Sequence, residues 1–311
     1  MTAPRSRRAA LIAPWLTAAA CACLGLLAGC GSSSTESELV PTRFIAFGDS
    51  FADVGQSGGR KYTVNDSSVN HWLQKFAAGY GRSITASSAG GLGYAQGMAR
   101  IATSPDAAGN ASTLNVTQQI DAFLASQQLQ DNDLLVVSGG VGDIIFEINA
   151  MQAGSQTEAD MTTHLKQAGV ALAAQIKRLL AVGARHIAVV GAYNLGKTPW
   201  GTALDKKTVL TDATSHFNEA LLVALNDLGE KVLYIDAAYY MNLLSDPLSA
   251  PGYAISNVVD PVCTSVDAGA GIGTGSGQVN ALLCDTTTLL AGADDSKYAF
   301  ADRIHFTPAA Q

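Results

Sequence analysis

The sequence predicts an α/β fold in which helices cover both faces of a parallel β-sheet. Short continuous apolar runs, each followed by a small or polar residue, are typical of strands buried on both faces. Longer segments with helical spacing of apolar residues separate these runs, and such alternation produces βαβ units. Neither an internal repeat nor a linker divides the chain after its N-terminal segment, so we expect one domain over residues 43–311.

Individual elements can be assigned from this pattern. The candidate strands are Arg43–Phe47, Asp133–Val137, His186–Val190 and Lys231–Ile235. The clearest candidate helices are Thr157–Ala181, which Gly183 should end, and Thr214–Leu228. Functional groups in such sheets gather where loops leave the carboxyl ends of the strands, so candidate site residues are sought there.

Composition excludes several classes of protein. Of the 311 residues, 48% are hydrophobic and 14% are charged, which is typical of a globular protein and not of a disordered chain, a coiled coil or a collagen. The net charge of −7 argues against nucleic-acid binding, because such binding depends on Lys and Arg side chains that neutralise phosphates. We therefore expect no nucleic-acid partner, and no obligate protein partner is evident.

The N-terminal segment has the features of an export signal. A basic start is followed by an apolar run that ends in Leu27-Ala28-Gly29-Cys30, which resembles a bacterial lipobox. This resemblance implies a lipoprotein signal peptide over residues 1–29, lipidation of Cys30 and a flexible tether over residues 30–42. The protein would then be exported and lipid-anchored in the envelope of a bacterium, at the periplasm or outer membrane. A plain signal peptide and a transmembrane anchor are the alternatives.

Cysteine usage agrees with export. Of five Cys, two lie in the expected leader and a third is Cys30, which leaves Cys263 and Cys284 on either side of the Gly-rich segment Asp267–Gln278. In an oxidising compartment this pair should form a disulfide. A zinc site is disfavoured because no His lies between or beside the two Cys. Metal-protease and nucleotide-binding motifs do not occur, so we expect no metal and no cofactor.

A Ser and an Asp–His pair stand where acyl-transfer chemistry would need them. Ser50 follows the first predicted strand directly after Gly48-Asp49, and Asp302-x-x-His305 lies near the end of the chain. Acyl transfer requires a base that takes the Ser proton, and an acid that orients the imidazole and stabilises its charged form. Asp302 and His305 could supply both groups from one loop.

At these residues the sequence resembles the GDSL family of SGNH-type serine esterases and lipases. The family's blocks occur in order, and they are Gly48–Gly55, Gly93–Arg100, Ser138–Asp143 and Asp302-x-x-His305, with Ser256–Cys263 resembling its pre-catalytic loop and disulfide. The resemblance implies a flavodoxin-like three-layer α/β/α sandwich. It also implies Ser50 as nucleophile, His305 as base and Asp302 as the partner of His305.

The chain departs from the family pattern at two positions in the expected oxyanion hole. The resemblance assigns this hole to Ser50, Gly97 and position 142, where the family has an Asn side chain and this chain has Gly142. The second Gly of the second block is Met98 here. Losing one donor typically costs a factor of 10²–10³ in turnover. We therefore expect Gly142→Asn to raise turnover, unless Asn149, Asn194 or a water already fills the position.

Other motifs are assigned structural roles. Ser57 lies in a G-x-S-x-G pattern that has no preceding strand, so we interpret it as a loop residue. We expect structural or solvated roles for His71, His164, His186 and His216. The last residues, Thr307–Gln311, have the pattern of a helix start, so the domain could be truncated at its C-terminal helix.

The expected function is hydrolysis of carboxylic esters through a Ser–Asp–His triad and an acyl-enzyme. The substrate would be a small-molecule or lipid ester, and the protein would contact the membrane through lipidated Cys30. The acyl chain length stays open. The alternatives are a carbohydrate O-acetyl esterase and a non-catalytic envelope lipoprotein on an esterase fold.

Overall fold

A four-stranded parallel sheet forms the centre of the computed structural model, which describes residues 39–311 apart from 67, 69, 70 and 247. The strands are Arg43–Phe47 (β1), Asp133–Ser138 (β2), His186–Val190 (β3) and Val232–Ile235 (β4). They lie in the order β1-β2-β3-β4, and each neighbouring pair is parallel. The prediction of a parallel α/β sheet is confirmed.

Helices flank this sheet and complete a three-layer α/β/α sandwich. They are Trp72–Gly79 (α1), Val116–Ser126 (α2), Val141–Gln152 (α3), Glu158–Ala181 (α4), Pro199–Ala203 (α5), Lys207–Leu225 (α6) and Ala237–Ser245 (α7). The longest two, α4 and α6, pack along each other. Thr157 caps α4 by accepting a hydrogen bond from the Asp160 amide, and Gly183 follows its end with a left-handed φ of 107°.

Two predicted elements differ in detail. The helix expected at Thr214–Leu228 begins at Lys207, because Leu210 and Ala213 continue its buried face by two turns toward the N-terminus. Strand β4 was expected to be buried on both faces, and this is wrong. Leu233 and Ile235 are 64% and 36% exposed, because alternate residues of β4 point to a face of the sheet that is open to solvent at this strand.

The C-terminal part of the chain folds into short strands that hold the last loop. Asn257–Pro261 (β5) pairs in parallel with Tyr298–Phe300 (β8), and Val266–Asp267 (β6) pairs with Gln278–Val279 (β7) as an antiparallel ladder. Phe300 also bridges Phe306, so the chain between them forms a tight bend. This bend carries both Asp302 and His305.

The terminal predictions have different outcomes. The expected signal peptide, Cys30 and tether residues 30–38 lie outside the described residues, while Val40–Gln311 form one compact unit. Residues 308–310 form a turn closed by the Ala310 amide on the Thr307 carbonyl at 3.1 Å, and they are not helical. Among the described residues, no helix combines the length and the apolar character needed to cross a bilayer.

Candidate active site

Ser50 is held at the carboxyl end of β1 by a constrained strand end. Gly48 has a φ of 151°, and a Cβ at this position would lie 2.9 Å from the Ser138 carbonyl oxygen, so the turn requires glycine. The Gln119 side chain of α2 binds both backbone polar groups of Gly48, at 2.8 and 2.9 Å. The side chain of Ser50, which is 3% exposed, is thereby fixed at the edge of the sheet.

The amide that faces Ser50 belongs to Met98. Its N–H donates to Ser50 Oγ at 2.9 Å, and Met98 has a φ of 62°, which non-glycine residues rarely adopt. The amide of Gly97, the expected donor, instead donates to Asp53 Oδ2 at 2.9 Å. The N–H of Ser50 has no acceptor among the described residues. The candidate backbone donors for an oxyanion are therefore the amides of Ser50 and Met98.

Asp302 and His305 form a buried pair, as the spacing suggested. His305 Nδ1 lies 2.8 Å from Asp302 Oδ2, and the two residues are 4% and 0% exposed. The carboxylate also accepts hydrogen bonds from the backbone amides of Ala281, Ile304 and His305 at 2.8 to 2.9 Å. A carboxylate held by this many donors is fixed in orientation. It therefore fixes the imidazole plane and leaves Nε2 as the free nitrogen.

His305 Nε2 is buried and has no hydrogen-bond partner among the described residues. No hydrogen bond joins Ser50 Oγ to Nε2, and Ser50 Oγ accepts one from the Met98 amide. The imidazole lies against the Tyr62 ring, with centroids 4.8 Å apart. The hydrogen bond between Asp302 and His305 is thus formed, whereas none joins His305 to Ser50.

Buried carboxylates surround this site. Burial raises the pKa of Asp49, and this rise is opposed by the hydrogen bond from the Phe51 amide to Asp49 Oδ1 at 3.1 Å and by the nearby His305. Burial also raises the pKa of Asp53 to about 6, against hydrogen bonds from three backbone amides. Both carboxylates hold the surrounding loops in place by accepting hydrogen bonds from backbone amides of those loops.

Gly142 has no side chain that could donate a hydrogen bond, and its small size lets the backbone of the second block pack closely against the start of α3. It is the second residue of α3, and a Cβ there would lie 2.8 Å from the Met98 carbonyl oxygen and closer still to that of Ala99. The backbone of the second block therefore occupies the volume that an Asn side chain would need. These contacts argue against the expectation that Gly142→Asn completes the oxyanion hole, and we predict instead that an Asn there forces α3 and the second block apart.

The other proposed sources of a third donor are committed elsewhere. The side-chain amide of Asn149 donates to the Gly273 carbonyl at 2.7 Å, and that of Asn194 donates to Asn242 Oδ1 at 2.8 Å. Neither is directed at Ser50. The alternative nucleophile Ser57 is exposed in a turn and has no strand before it.

The histidines outside the candidate triad have structural surroundings. His71 is buried and caps α1 by accepting a hydrogen bond from the Leu73 amide, and burial lowers its pKa to about 3. His164 pairs with Glu147 at 2.9 Å. Within the described residues, no group of three or more His, Cys, Asp or Glu side chains is arranged to hold a metal ion.

Cys263 and Cys284 form a disulfide that supports the loop of the candidate acid. Their Cα atoms are 5.9 Å apart, and the bridge lies in a small apolar core with Ala281 and Ala301. The Cys263 amide donates to the Ala301 carbonyl at 3.1 Å, and the Ala281 amide donates to Asp302. The disulfide thus joins the two segments that flank Asp302.

Two cavities of different character lie at this edge of the molecule. The larger, about 600 Å³, is lined mainly by polar groups and includes Asp53, Gln56, Ser57, Tyr62, Ser88, Gln96, Gly97, Met98, Asp106, Asn110 and Thr113. The smaller, about 270 Å³, is lined by aromatic and aliphatic groups that include Phe51, Trp72, Tyr193, Tyr240 and Phe306. Sequence reasoning missed both Tyr62 and these aromatic residues, because no spacing pattern marks them.

A parallel α/β sandwich with a buried Ser after β1, and a buried Asp–His pair beside it, has the layout of an ester hydrolase. The family model described as "GDSL-like Lipase/Acylhydrolase" matches residues 44–311. The chain therefore belongs to this family and is a hydrolase that acts on ester bonds. A solved crystal structure shows 14% identity and a TM-score of 0.37, covering 64% of this chain and 84% of that chain. A comparison with curated proteins finds no match.

Proposed function

We propose that the protein is a serine esterase or lipase that cleaves carboxylic esters through an acyl-enzyme on Ser50. The observation that carries this proposal is the buried His305–Asp302 pair, whose Nε2 has no partner among the described residues. A neutral imidazole held in this tautomer can accept the Ser50 proton, and Asp302 stabilises the imidazolium that results. Such a buried pair is costly to retain without a role, which favours a catalyst over a non-catalytic lipoprotein.

The resting hydrogen bonds suggest how the first step proceeds. Ser50 Oγ accepts from the Met98 amide and has no hydrogen bond to His305, so its hydroxyl must approach His305 Nε2 before it attacks the ester carbonyl. The attack moves Oγ away from the Met98 N–H. The vacated N–H then binds the carbonyl oxygen as it gains negative charge. The Ser50 amide is the second donor. The intermediate then breaks the ester C–O bond, and the alcohol leaves with the proton that His305 took from Ser50. Water afterwards hydrolyses the acyl-enzyme with His305 again as base.

Site-directed variants test this assignment. Ser50→Ala should abolish hydrolysis of a p-nitrophenyl ester, whereas the matched variant Ser57→Ala should keep nearly wild-type turnover, because Ser57 is exposed in a turn. Loss of activity in Ser57→Ala alone would overturn the assignment. Absence of activity in the wild type on all esters would favour the non-catalytic alternative.

A carbohydrate O-acetyl esterase is the second candidate, and the polar cavity favours it. An alcohol rich in hydroxyl groups would meet side chains such as Gln96, Asp106 and Asn110 there, while an acetyl group needs little apolar volume. A comparison of acetylated oligosaccharides with p-nitrophenyl esters of increasing chain length separates the candidates. Higher kcat/KM on the acetylated sugar would support the second, and higher kcat/KM on long acyl chains would support a lipase.

We also propose that the protein is exported and lipid-anchored through Cys30, as the lipobox-like sequence indicates. Wild-type protein should incorporate labelled palmitate and sediment with membranes, and Cys30→Ser should do neither. Unlabelled wild-type protein would contradict this localisation.

A further inference from the structure

We propose that the hydroxyl of Tyr62 is the third hydrogen-bond donor of this site and contacts the substrate's carbonyl oxygen during acyl transfer. This inference rests on the proposed function of Ser50 and His305. It assigns a catalytic role to a residue outside the family's sequence blocks. The role would replace the amide that Gly142 cannot supply.

Tyr62 touches both halves of the site. Its ring lies 4.8 Å from that of His305, centroid to centroid, at an angle of 43°. Its hydroxyl lies directly over Gly97, where any Cβ would overlap the phenol. The next residue is Met98, whose amide is 2.9 Å from Ser50 Oγ. The hydroxyl therefore lies beside the donor that faces the nucleophile.

The Tyr62 hydroxyl is available to a ligand. No described residue forms a hydrogen bond with it, and Tyr62 lines the polar cavity together with Gly97 and Met98. A phenol inside a protein normally finds a partner, so a free one at the wall of a cavity indicates a group that bonds to what enters.

The protonation state of this phenol suits a donor. Burial raises the pKa of Tyr62, and the negative charge of Asp53 raises it further. The phenol is therefore a neutral donor at neutral pH. A neutral O–H donor can stabilise an oxyanion without adding a charge to the apoenzyme.

Gly97 has a defined role in this arrangement. A side chain at position 97 would displace the phenol, so glycine allows Tyr62 to lie flat against the turn. The Gly97 amide donates to Asp53 Oδ2 at 2.9 Å, and this hydrogen bond holds the turn in position against the phenol. The same carboxylate thus secures both the Met98 donor and the surface on which Tyr62 rests.

Tyr62→Phe tests the inference because it removes the hydroxyl and keeps the ring on His305. We expect kcat on a p-nitrophenyl ester to fall about 10²-fold, with KM close to the wild-type value. A trifluoromethyl ketone, which forms a tetrahedral adduct with the active Ser, should bind more weakly by the same factor as the loss in kcat/KM. Tyr80→Phe, in a half-exposed tyrosine far from the site, is the matched control and should change neither quantity.

The outcomes separate this inference from the proposed function. Wild-type kcat and wild-type affinity for the ketone in Tyr62→Phe would overturn the inference, while inactivity of Ser50→Ala would leave the proposed function standing. A loss of kcat without loss of ketone affinity would also overturn it, because it would indicate displacement of His305 only. Tyr62→Leu, which removes the ring as well, should be at least as impaired as Tyr62→Phe in both measurements.

Discussion

Replacement of Gly142 distinguishes two explanations for this glycine. Either it is needed because the backbone packs closely against it, or it merely leaves the oxyanion hole without one donor. In Gly142→Ala, the new Cβ would lie 2.8 Å from the Met98 carbonyl oxygen and 2.9 Å from the Ala99 carbonyl carbon. Both distances are shorter than van der Waals contact, and the nearest atoms are backbone. The start of α3 and the Met98 turn must therefore move apart.

The expected magnitude follows from this overlap. Overpacking of a buried site typically costs about 1–3 kcal/mol of stability, and we expect Gly142→Ala in that range. A shift of the Met98 turn also moves the amide that lies 2.9 Å from Ser50 Oγ. Loss of one such donor lowers turnover by about 10²–10³, so a partial loss predicts a fall in kcat of about tenfold or more. Gly142→Asn should be worse than Gly142→Ala on both counts.

Thermal unfolding and ester kinetics on the same preparations measure both effects. Gly79→Ala is the matched control, because this glycine ends α1 and a Cβ there meets no atom within 4 Å. The control should be neutral or stabilised by up to about 1 kcal/mol, with unchanged kcat. A Gly142→Asn variant that unfolds at the wild-type temperature and turns over faster than wild type would refute the steric account.

Three further predictions follow from the site. Asp302→Asn should keep the fold but lower kcat by about 10³–10⁴, because the amide cannot hold the productive imidazole tautomer. Measurement of kcat across a range of pH checks this prediction, and a loss smaller than tenfold would contradict it. The double variant Cys263→Ala/Cys284→Ala should lose about 2–5 kcal/mol of unfolding free energy, measured by urea titration. Its kcat should also fall, because the disulfide supports the Asp302 loop. Unchanged values of both quantities would contradict this prediction. Burial raises the pKa of Asp53 to about 6 in the fold, so the folded state binds a proton more tightly than the unfolded chain between pH ~4 and ~6. The unfolding free energy of the wild type should therefore fall relative to that of Asp53→Asn as pH rises through this window, by on the order of 3 kcal/mol. Urea titrations that show a difference independent of pH would contradict this prediction.

The sequence was sufficient for the features that depend on local pattern. Apolar runs gave β1, β2 and β3, and the helix over Glu158–Ala181 was marked by its Thr157 cap and by Gly183. The Asp302–His305 pair could be anticipated because both groups lie on one short bend. In each case the information lies within a few residues of the feature.

The rest depends on contacts between distant segments. The exposure of one face of β4 depends on which segments pack over it, because β1 lies at the other edge of the same sheet and is buried. The engagement of Gly97 by Asp53 and the packing of α3 on the Met98 turn join residues more than 40 positions apart. Tyr62 has no sequence signature, because its importance comes from lying between His305 and Gly97.

Mapping the residue modified by a fluorophosphonate tests the central claim most directly, since labelling needs an activated nucleophile but no knowledge of the substrate. The account predicts one adduct, on the peptide that contains Ser50, and a strong loss of labelling in His305→Ala although Ser50 is intact. An adduct on Ser57, or equal labelling of wild type and His305→Ala, would contradict the claim that Ser50 is the nucleophile and that His305 activates it.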